Sequence, residues 1–392
     1  MLEAKNNLDR RYELDWLRVI AIVILFFYHT GMMFVSWDWH ISNKETSKTL
    51  ETIMVWLHQW RMPLLLFISG VGTHLALGRR SASSYAKERS NRLLIPLIFG
   101  MFIIVPPQIY YEKIAQYSSY LDFYSTVFQF MPYPKGSFSW HHLWFILYLF
   151  VYSLIALPIF LWLRKPSSTK FLELCFKLSN RNGGLLLWVI PIILTQFLLR
   201  PFFPRETHDL INDWAYFTFY FLFFLFGYIS FSYTSLWELF KTQRKLNLAI
   251  SLVTLVIFYL IYFIPYKLPI NFDLPWEVIK VIVAWFWVVT FIGYGQMYLN
   301  FNSKWLKYAN EVAYPFYILH QTIIIAIGYY VIQWQAHILV KYSVVLLLTF
   351  LACFIAYEVL IKRIGFLRLV FGLKNLTKTQ ETNQYQLSKN SV

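Results

Sequence analysis

Long apolar stretches separated by short polar ones follow one another along almost the whole chain. A transmembrane helix needs about 20 predominantly apolar residues, and ten stretches come near that length, the fifth being the shortest. These stretches are 16–35, 53–78, 93–111, 143–163, 185–199, 214–232, 247–265, 276–299, 312–332 and 340–361. The pattern predicts an all-α polytopic membrane protein with about ten transmembrane helices. We expect one membrane domain over residues 1–361 and a basic, polar cytoplasmic tail over 362–392.

Composition and charge support this prediction. The 392 residues are 58% hydrophobic and only 14% charged, whereas a soluble domain averages about 25% charged residues. The net charge of +15 arises mainly from Lys and Arg in alternate loops, on the side of the N-terminus. That asymmetry predicts that both termini are cytoplasmic and explains the charge without a nucleic-acid partner. Cys175 and Cys353 show no metal-ligand spacing, so the sequence predicts neither a metal site nor a structural disulfide.

Polar residues on the first predicted helix form a stripe. Arg18 and His29 are eleven residues apart, which is three turns plus about 20°, so they share a face. His29 would lie about 16 Å along the helix from Arg18. Asp15 and Arg18 could simply anchor the helix at the interface, and His29 could be a hydrogen-bonded core histidine. The shared face favours a functional interpretation, because ionisable groups inside a membrane are costly.

Three arginines further along are also candidates. Arg61, within the second predicted span, needs a hydrogen-bonding or anionic partner. That partner could be structural, or the guanidinium could stabilise a developing oxyanion. Arg89 and Arg92, at the start of the third span, have the spacing of a phosphate-binding pair. Arginines that only follow the positive-inside rule would show the same spacing. The small residues of FISGVG, from 67 to 72, predict close helix packing.

Aromatic residues and imidazoles collect in the loops on the opposite side from the termini. They occur in SWDWH (36–40) and SFSWHHLWF (137–145). His40, His141, His142 and Trp144 are therefore candidates for an acceptor site, although each histidine could also be a hydrated loop residue. His320 in the ninth span would lie about 12 Å from its cytoplasmic start, so we place it at the inner end of a donor tunnel.

These segments, taken in order, resemble the acyltransferase-3 family of bacterial membrane acyltransferases. The resemblance rests on Arg18 and His29 with ten residues between them, WRMPLLLFISG, the arginine pair ahead of LLIP, HLWFILYL and AYPFYILHQ. It covers residues 10 to about 361. Within the family, FYHTGMMFVSWDWHISN and LIKRIGFLRLVFGLK are most similar to the glucans biosynthesis protein C branch, which is associated with succinylation of periplasmic glucans. ISGVGT departs from the pattern, since many members have an aromatic residue after Ser-Gly.

The resemblance implies O-acylation of a glycan hydroxyl outside the bacterial cytoplasmic (inner) membrane. The donor would be acetyl-CoA or succinyl-CoA from the cytoplasm, and no bound cofactor is implied. On this interpretation His29 is the general base and Arg61 stabilises the oxyanion. Arg18, Arg89, Arg92 and His320 would bind the donor. An acyl-histidine intermediate remains open.

A second function class also fits the pattern of spans. A transporter or flippase for a sugar-containing or anionic substrate would equally need about ten helices with buried charges. Against it, the sequence has no inverted hydropathy repeat and no matched pair of Gly- or Pro-broken helices. Acyl transfer by the purified protein would separate the two classes.

Overall fold

The computed structural model of the chain describes residues 10–263 and 274–373, and these residues are folded almost entirely into helices. They contain no β-strand, only an isolated bridge between Pro132 and Phe138. The predicted tail beyond residue 373 lies outside the described residues. The helices are α1 (Tyr12–Met32), α2 (Lys48–Leu77), α3 (Ala82–Glu112), α4 (Tyr120–Ser125), α5 (His141–Ile155), α6 (Leu157–Leu163), α7 (Thr169–Ser179), α8 (Gly184–Leu199), α9 (Trp214–Phe231), α10 (Thr234–Thr242), α11 (Arg244–Phe263), α12 (Leu274–Tyr298), α13 (Lys304–Val331), α14 (Ile338–Ile361) and α15 (Gly365–Val370).

The predicted fold class is confirmed: the chain is an all-α polytopic membrane protein. Among the described helices, eight are long and apolar enough to cross a membrane, namely α1, α2, α3, α9, α11, α12, α13 and α14. Helices α5 and α6 meet at a bend of 52° and would form a ninth span together. Helix α8 is apolar but shorter. Each of the ten predicted stretches therefore coincides with an apolar helix, while the number of crossings and the cytoplasmic termini stay predictions.

Two of these helices begin two turns or more before their apolar stretches. Helix α3 begins at Ala82 instead of residue 93, and the Ser81 side chain accepts a hydrogen bond from the amide of Ser84 at its first turn. Helix α13 begins at Lys304 instead of residue 312. The first turns of both helices are polar. A count of consecutive apolar residues therefore misses these turns, although they are helical. As a result, His320 lies near the middle of α13, about 24 Å from its start.

Apolar side chains on the outer faces of some spans have no protein neighbours to cover them. On α11, Leu252, Val253, Val256 and Leu260 are all exposed in the protein alone. A soluble protein rarely leaves such a continuous apolar band in water. A surrounding hydrocarbon phase accounts for it, because a transmembrane helix turns its apolar surface toward lipid.

The described chain divides into two compact units. The first comprises the described residues up to Ala21, with His58–Arg79 and Ala156–Asn310. In it α2 and α9 pack backbone to backbone. A Cβ added to Gly70 would lie 2.0 Å from the carbonyl oxygen of Phe224, and one added to Gly227 would lie 2.0 Å from that of Phe67. The close packing predicted from FISGVG is therefore confirmed.

The second unit comprises Ile22–Leu57, Arg80–Ile155 and the described residues from Glu311 onward. Its apolar core is formed by buried residues from the loop that follows α1, from α13 and from α14. They are Met33, Phe34, Ile41, Ile324, Ile325, Val331 and Val345. A Cβ on Gly328 would lie 2.4 Å from Sδ of Met33. This packing holds α13 against the end of α1, which carries His29.

Candidate active site

Two histidines from different helices form the centre of the second unit's polar interior. Nδ1 of His29, near the end of α1, lies 2.8 Å from Nε2 of His320 in α13. The two rings are nearly parallel, with centroids 4.9 Å apart. His320 is fully buried, whereas His29 is partly exposed. Because a buried polar group needs a hydrogen-bond partner, the two imidazoles support one another inside an apolar protein.

The surrounding hydrogen bonds determine which nitrogen carries each proton. Nδ1 of His320 lies 2.6 Å from the carbonyl oxygen of Tyr317, which can only accept, so this nitrogen is protonated. The lone pair of neutral His320 is then on Nε2, where it accepts the Nδ1–H of His29. Neutral His29 consequently carries its own lone pair on Nε2. This is the protonation state that a general base requires.

Aromatic rings hold the two imidazoles in place. Phe26 lies against His320 at 5.3 Å between centroids and is itself stacked on Phe350 at 4.3 Å. Trp39, in the loop after α1, lies nearly parallel to His29 at 6.5 Å. Phe26 packs against the ring of His320, and Trp39 presents an indole beside the candidate base.

A network of amide side chains adjoins the histidine pair. Gln108 of α3 donates from Nε2 to Nδ1 of His142 at 3.2 Å and to Oγ1 of Thr322 at 2.7 Å. His142 in turn donates from Nε2 to the carbonyl oxygen of Ile318 at 3.0 Å. Gln321 donates from Nε2 to Oε1 of Gln108 at 3.1 Å. The network fixes the orientation of α13 residues on both sides of His320.

His40, Glu112 and His141 lie together at the far end of this network, and we call them the His40 cluster. Nδ1 of His40 is 2.5 Å from Oε2 of Glu112, and its Nε2 is 3.2 Å from Nε2 of Gln321. The rings of His40 and His141 are stacked at 4.7 Å. Two predicted acceptor-site residues are thus brought into contact with each other and, through Gln321, with the network.

Tyr133 completes the surroundings of Glu112. Its hydroxyl donates to Oε1 of Glu112 at 2.8 Å, while Lys113 lies over its ring at 5.3 Å. Burial and the neighbouring Glu112 carboxylate raise the pKa of Tyr133, so it remains a hydrogen-bond donor at any ordinary pH. Glu112 therefore has both oxygens engaged, one by His40 and one by Tyr133.

The other two predicted acceptor residues have different surroundings. His142 is buried, and its ring meets that of His320 edge-on at 5.3 Å. Trp144 is buried too, and it packs edge-to-face on Tyr148 at 5.1 Å. His142 thus supports the histidine pair from inside the fold, and Trp144 contributes to the packing of α5. Their acceptor-binding roles stay predictions.

The predicted donor-binding arginines lie in both units. In the first unit, Arg18 pairs with Asp15 and donates to Oδ1 of Asn310, each contact being 3.3 Å. In the second, Arg89 lies over the Tyr85 ring at 5.2 Å, and Arg92 pairs with Glu88 at 3.4 Å. Arg89 and Arg92 occupy consecutive turns at the point where α3 changes to a π-helical turn over Ser90–Leu94. Such turns are frequent at functional sites.

Arg61 belongs to the first unit and has a polar setting of its own. Its Nη1 donates to Nδ1 of His58 at 3.3 Å, and Nε2 of His58 lies 3.1 Å from Oε2 of Glu206. Oε1 of Glu206 accepts from Tyr220 at 2.8 Å and from His208 at 2.9 Å. Burial opposes ionisation of Glu206, but the His58 and His208 imidazoles outweigh it and hold its pKa well below the usual range. We call these five residues the Glu206 cluster.

Several polar residues of these networks were not predicted from the sequence, namely Gln108, Glu112, Tyr133, Gln321, His58 and Glu206. For Gln108 and Gln321 the signal was present, because an amide inside an apolar span needs a partner as much as an imidazole does. Glu112 follows an apolar run directly and looks like an ordinary helix end. Only the fold reveals that His40 pairs with it.

A family model described as an acyltransferase domain matches residues 11–358. The chain belongs to this family. It is a membrane O-acyltransferase, and the predicted family resemblance is confirmed.

Named relatives resemble most of the chain. Glucans biosynthesis protein C of Escherichia coli (strain K12) is 25% identical over 351 residues, covering 82% of this chain and 84% of that protein. The protein of the same name from Escherichia coli O6:K15:H31 (strain 536 / UPEC) is 24% identical over 348 residues, with the same coverage. The branch resemblance seen in the sequence is thereby confirmed.

Proposed function

We propose that this acyltransferase moves an acetyl or succinyl group from cytoplasmic acyl-CoA to a hydroxyl of a glycan outside the bacterial inner membrane. The observation that carries the proposal is the hydrogen-bond chain from His29 through His320 to the Tyr317 carbonyl. It provides an oriented imidazole base on a membrane helix. The names of the relatives, which concern glucan biosynthesis, favour a glucan as the acceptor.

His29 acts as the general base in this reaction. Nε2 of His29 takes the proton of the acceptor hydroxyl while the hydroxyl oxygen attacks the thioester carbonyl carbon. The C–S bond then breaks, and the imidazolium returns the proton to the sulfur of CoA. His320 holds the Nδ1–H of His29 throughout, which is the orienting role of the third member of a hydrolase triad.

Donor binding falls to cationic side chains within the first three turns of their helices. Arg89 and Arg92, which belong to the same unit as His29, are at least partly exposed and can pair with the CoA phosphates at the cytoplasmic face. Arg18, in the first unit, stays a candidate for donor binding. The donor's acyl end would reach His29, with the fully buried His320 behind it as a positioning group. Arg61 stays a candidate for stabilising the oxyanion, and its guanidinium donates to His58, which in turn contacts Glu206.

Acceptor binding falls to the loop after α1. Trp39 is next to two imidazoles: its ring lies parallel to that of His29 and edge-on to that of His40, with centroids 5.4 Å apart in the second case. An indole face stacks well on the apolar face of a sugar ring. A glycan held on Trp39 would present a hydroxyl to the adjacent imidazole.

Mass spectrometry of envelope glycans tests this function. We compare a strain lacking the gene with strains restored by wild type or by His29→Ala, after checking that the variant inserts at wild-type levels. We expect the mass increment of one acyl ester to disappear on deletion and to return only with wild type. Which increment returns distinguishes acetyl from succinyl. Glycans that are unchanged by deletion, or restored by His29→Ala, would contradict the proposal.

A further inference from the structure

The His40 cluster has the composition of a metal site. Within the described residues it is the one group of three histidine, cysteine or acidic side chains whose donor atoms all lie within 4.8 Å of one another. The three residues come from distant parts of the chain, the loop after α1, the end of α3 and the start of α5. No local spacing relates them, which is why the sequence predicted no metal.

We propose that His40, Glu112 and His141 bind a divalent transition-metal ion, with Zn²⁺ as the expected one. Two imidazoles and one carboxylate are a donor set that zinc uses in catalytic sites, where a fourth position stays open. Imidazole also suits zinc better than calcium or magnesium, which prefer oxygen ligands. The proposal concerns binding and is independent of the proposed acyl transfer.

His141 supplies the most direct indication. Its Nδ1 is hydrogen-bonded to Oγ of Ser139 at 2.6 Å, and its Nε2 is buried without a hydrogen-bond partner. A buried imidazole nitrogen without a partner is unfavourable. A metal ion beside His40 and Glu112 would use that nitrogen's lone pair, while Ser139 accepts the Nδ1–H.

The other two ligands are held from behind in the same way. Glu112 accepts from Tyr133 through Oε1, leaving Oε2 toward His40. His40 contacts Gln321 through Nε2, leaving Nδ1 toward Glu112. Each side chain thus has one polar atom fixed by a neighbour and the other directed into the cluster. Second-sphere hydrogen bonds of this kind orient the ligands of known metal sites.

Metal binding requires only local changes. Tetrahedral bonds of 2.0–2.2 Å place ligand atoms about 3.3–3.6 Å apart, so the 2.5 Å contact between His40 and Glu112 would widen and His141 would move inward. Nδ1 of His40 must lose its proton and Nε2 must gain one. The Gln321 amide would then turn to offer its oxygen to that Nε2–H, and it would give up its hydrogen bond to Oε1 of Gln108.

The Glu206 cluster offers a matched contrast in the same chain. There too a glutamate lies between two histidines, but His58 and His208 contact different oxygens of Glu206. In that arrangement the carboxylate bridges two imidazoles, and Tyr220 donates to Glu206 while Arg61 donates to His58. We expect it to bind no metal, so His208→Ala is a control that removes an equally placed histidine.

The experiment measures metal content on the full chain in detergent. The protein carries an affinity tag without histidine, is stripped with a chelator, and is dialysed against Zn²⁺ or Co²⁺. We expect about one Zn²⁺ per chain and, with Co²⁺, the visible absorption of a four-coordinate site. Glu112→Gln, which keeps the side-chain shape, and His141→Ala should each weaken binding at least tenfold. His208→Ala should bind as wild type does.

Three results would overturn the proposal. They are a wild-type protein that takes up far less than one metal ion, equal uptake by wild type and Glu112→Gln, and equal loss of metal in His208→Ala. Size-exclusion profiles show whether each variant is folded, and if His141→Ala is not, Glu112→Gln decides alone. The experiment measures metal binding and not acyl transfer. A failure of the proposed acyl transfer would therefore not change its outcome.

Discussion

Nδ1 of His29 lies 2.8 Å from Nε2 of His320, and this one hydrogen bond joins two side chains that are 291 positions apart in the chain. It gives His320 a function that its depth in α13 alone would not indicate. A second imidazole orients the base as a carboxylate does in a hydrolase triad, but without bringing a full negative charge into the membrane. The activity of the pair should therefore depend on hydrogen bonding.

The first prediction concerns His320. His320→Leu removes the acceptor for the Nδ1–H of His29, so the ring can turn or take the wrong tautomer. We expect kcat to fall about 100-fold or more, with little change in KM for acyl-CoA, because loss of an orienting group acts on the base. His320→Gln keeps an oxygen acceptor and should retain clearly more activity. Steady-state kinetics of purified protein measure both.

A histidine elsewhere in the second unit provides the control. His337 caps α14 by accepting the amide of Leu339, and His337→Asn keeps that cap. It should behave as wild type in the same assay. If His320→Gln were no more active than His320→Leu at equal folding, hydrogen bonding would not be what His320 contributes.

The second prediction concerns donor binding. Arg89→Gln and Arg92→Gln should each raise KM for acyl-CoA by about tenfold with kcat nearly unchanged, since a lost phosphate contact weakens ground state and transition state alike. Lys87→Gln removes a neighbouring cation from the same helix and should have a much smaller effect. Equal increases for all three variants would indicate a general effect of surface charge, and wild-type KM values for the arginine variants would contradict donor binding.

The sequence predicted what depends on local pattern and missed what depends on pairing. His29 and His320 were both recognised, because an imidazole in an apolar span stands out in the chain. Their contact was not, since α13 begins at Lys304 and His320 therefore lies deeper along the helix than the apolar stretch indicated. Glu112 was overlooked for a similar reason: its partner His40 is 72 positions away. Long-range pairs of this kind follow from helix packing.

The third prediction tests that packing. In Gly70→Ala the new methyl group would lie 2.0 Å from the carbonyl oxygen of Phe224 and 2.9 Å from the amide nitrogen of Tyr228. Both are backbone atoms, so α2 and α9 must separate, which we expect to destabilise the protein by about 1–3 kcal/mol. Gly72→Ala meets nothing within 4 Å and should be neutral. Thermal unfolding in detergent compares the two, and equal Tm values would contradict the close packing.

The fourth prediction is a pH dependence of stability at Glu206. The His58 and His208 imidazoles overcome the effect of burial and hold its pKa well below 4.5. A carboxyl group whose pKa is lower in the folded state stabilises the fold at any pH above its unfolded-state pKa. This contribution is lost as the pH falls through its folded-state pKa. Wild type should therefore exceed Glu206→Gln in Tm at pH 7. The difference should persist down to about pH 4.5 and shrink only below it. A difference that stays constant down to pH 3 would show that Glu206 contributes no ionised interaction.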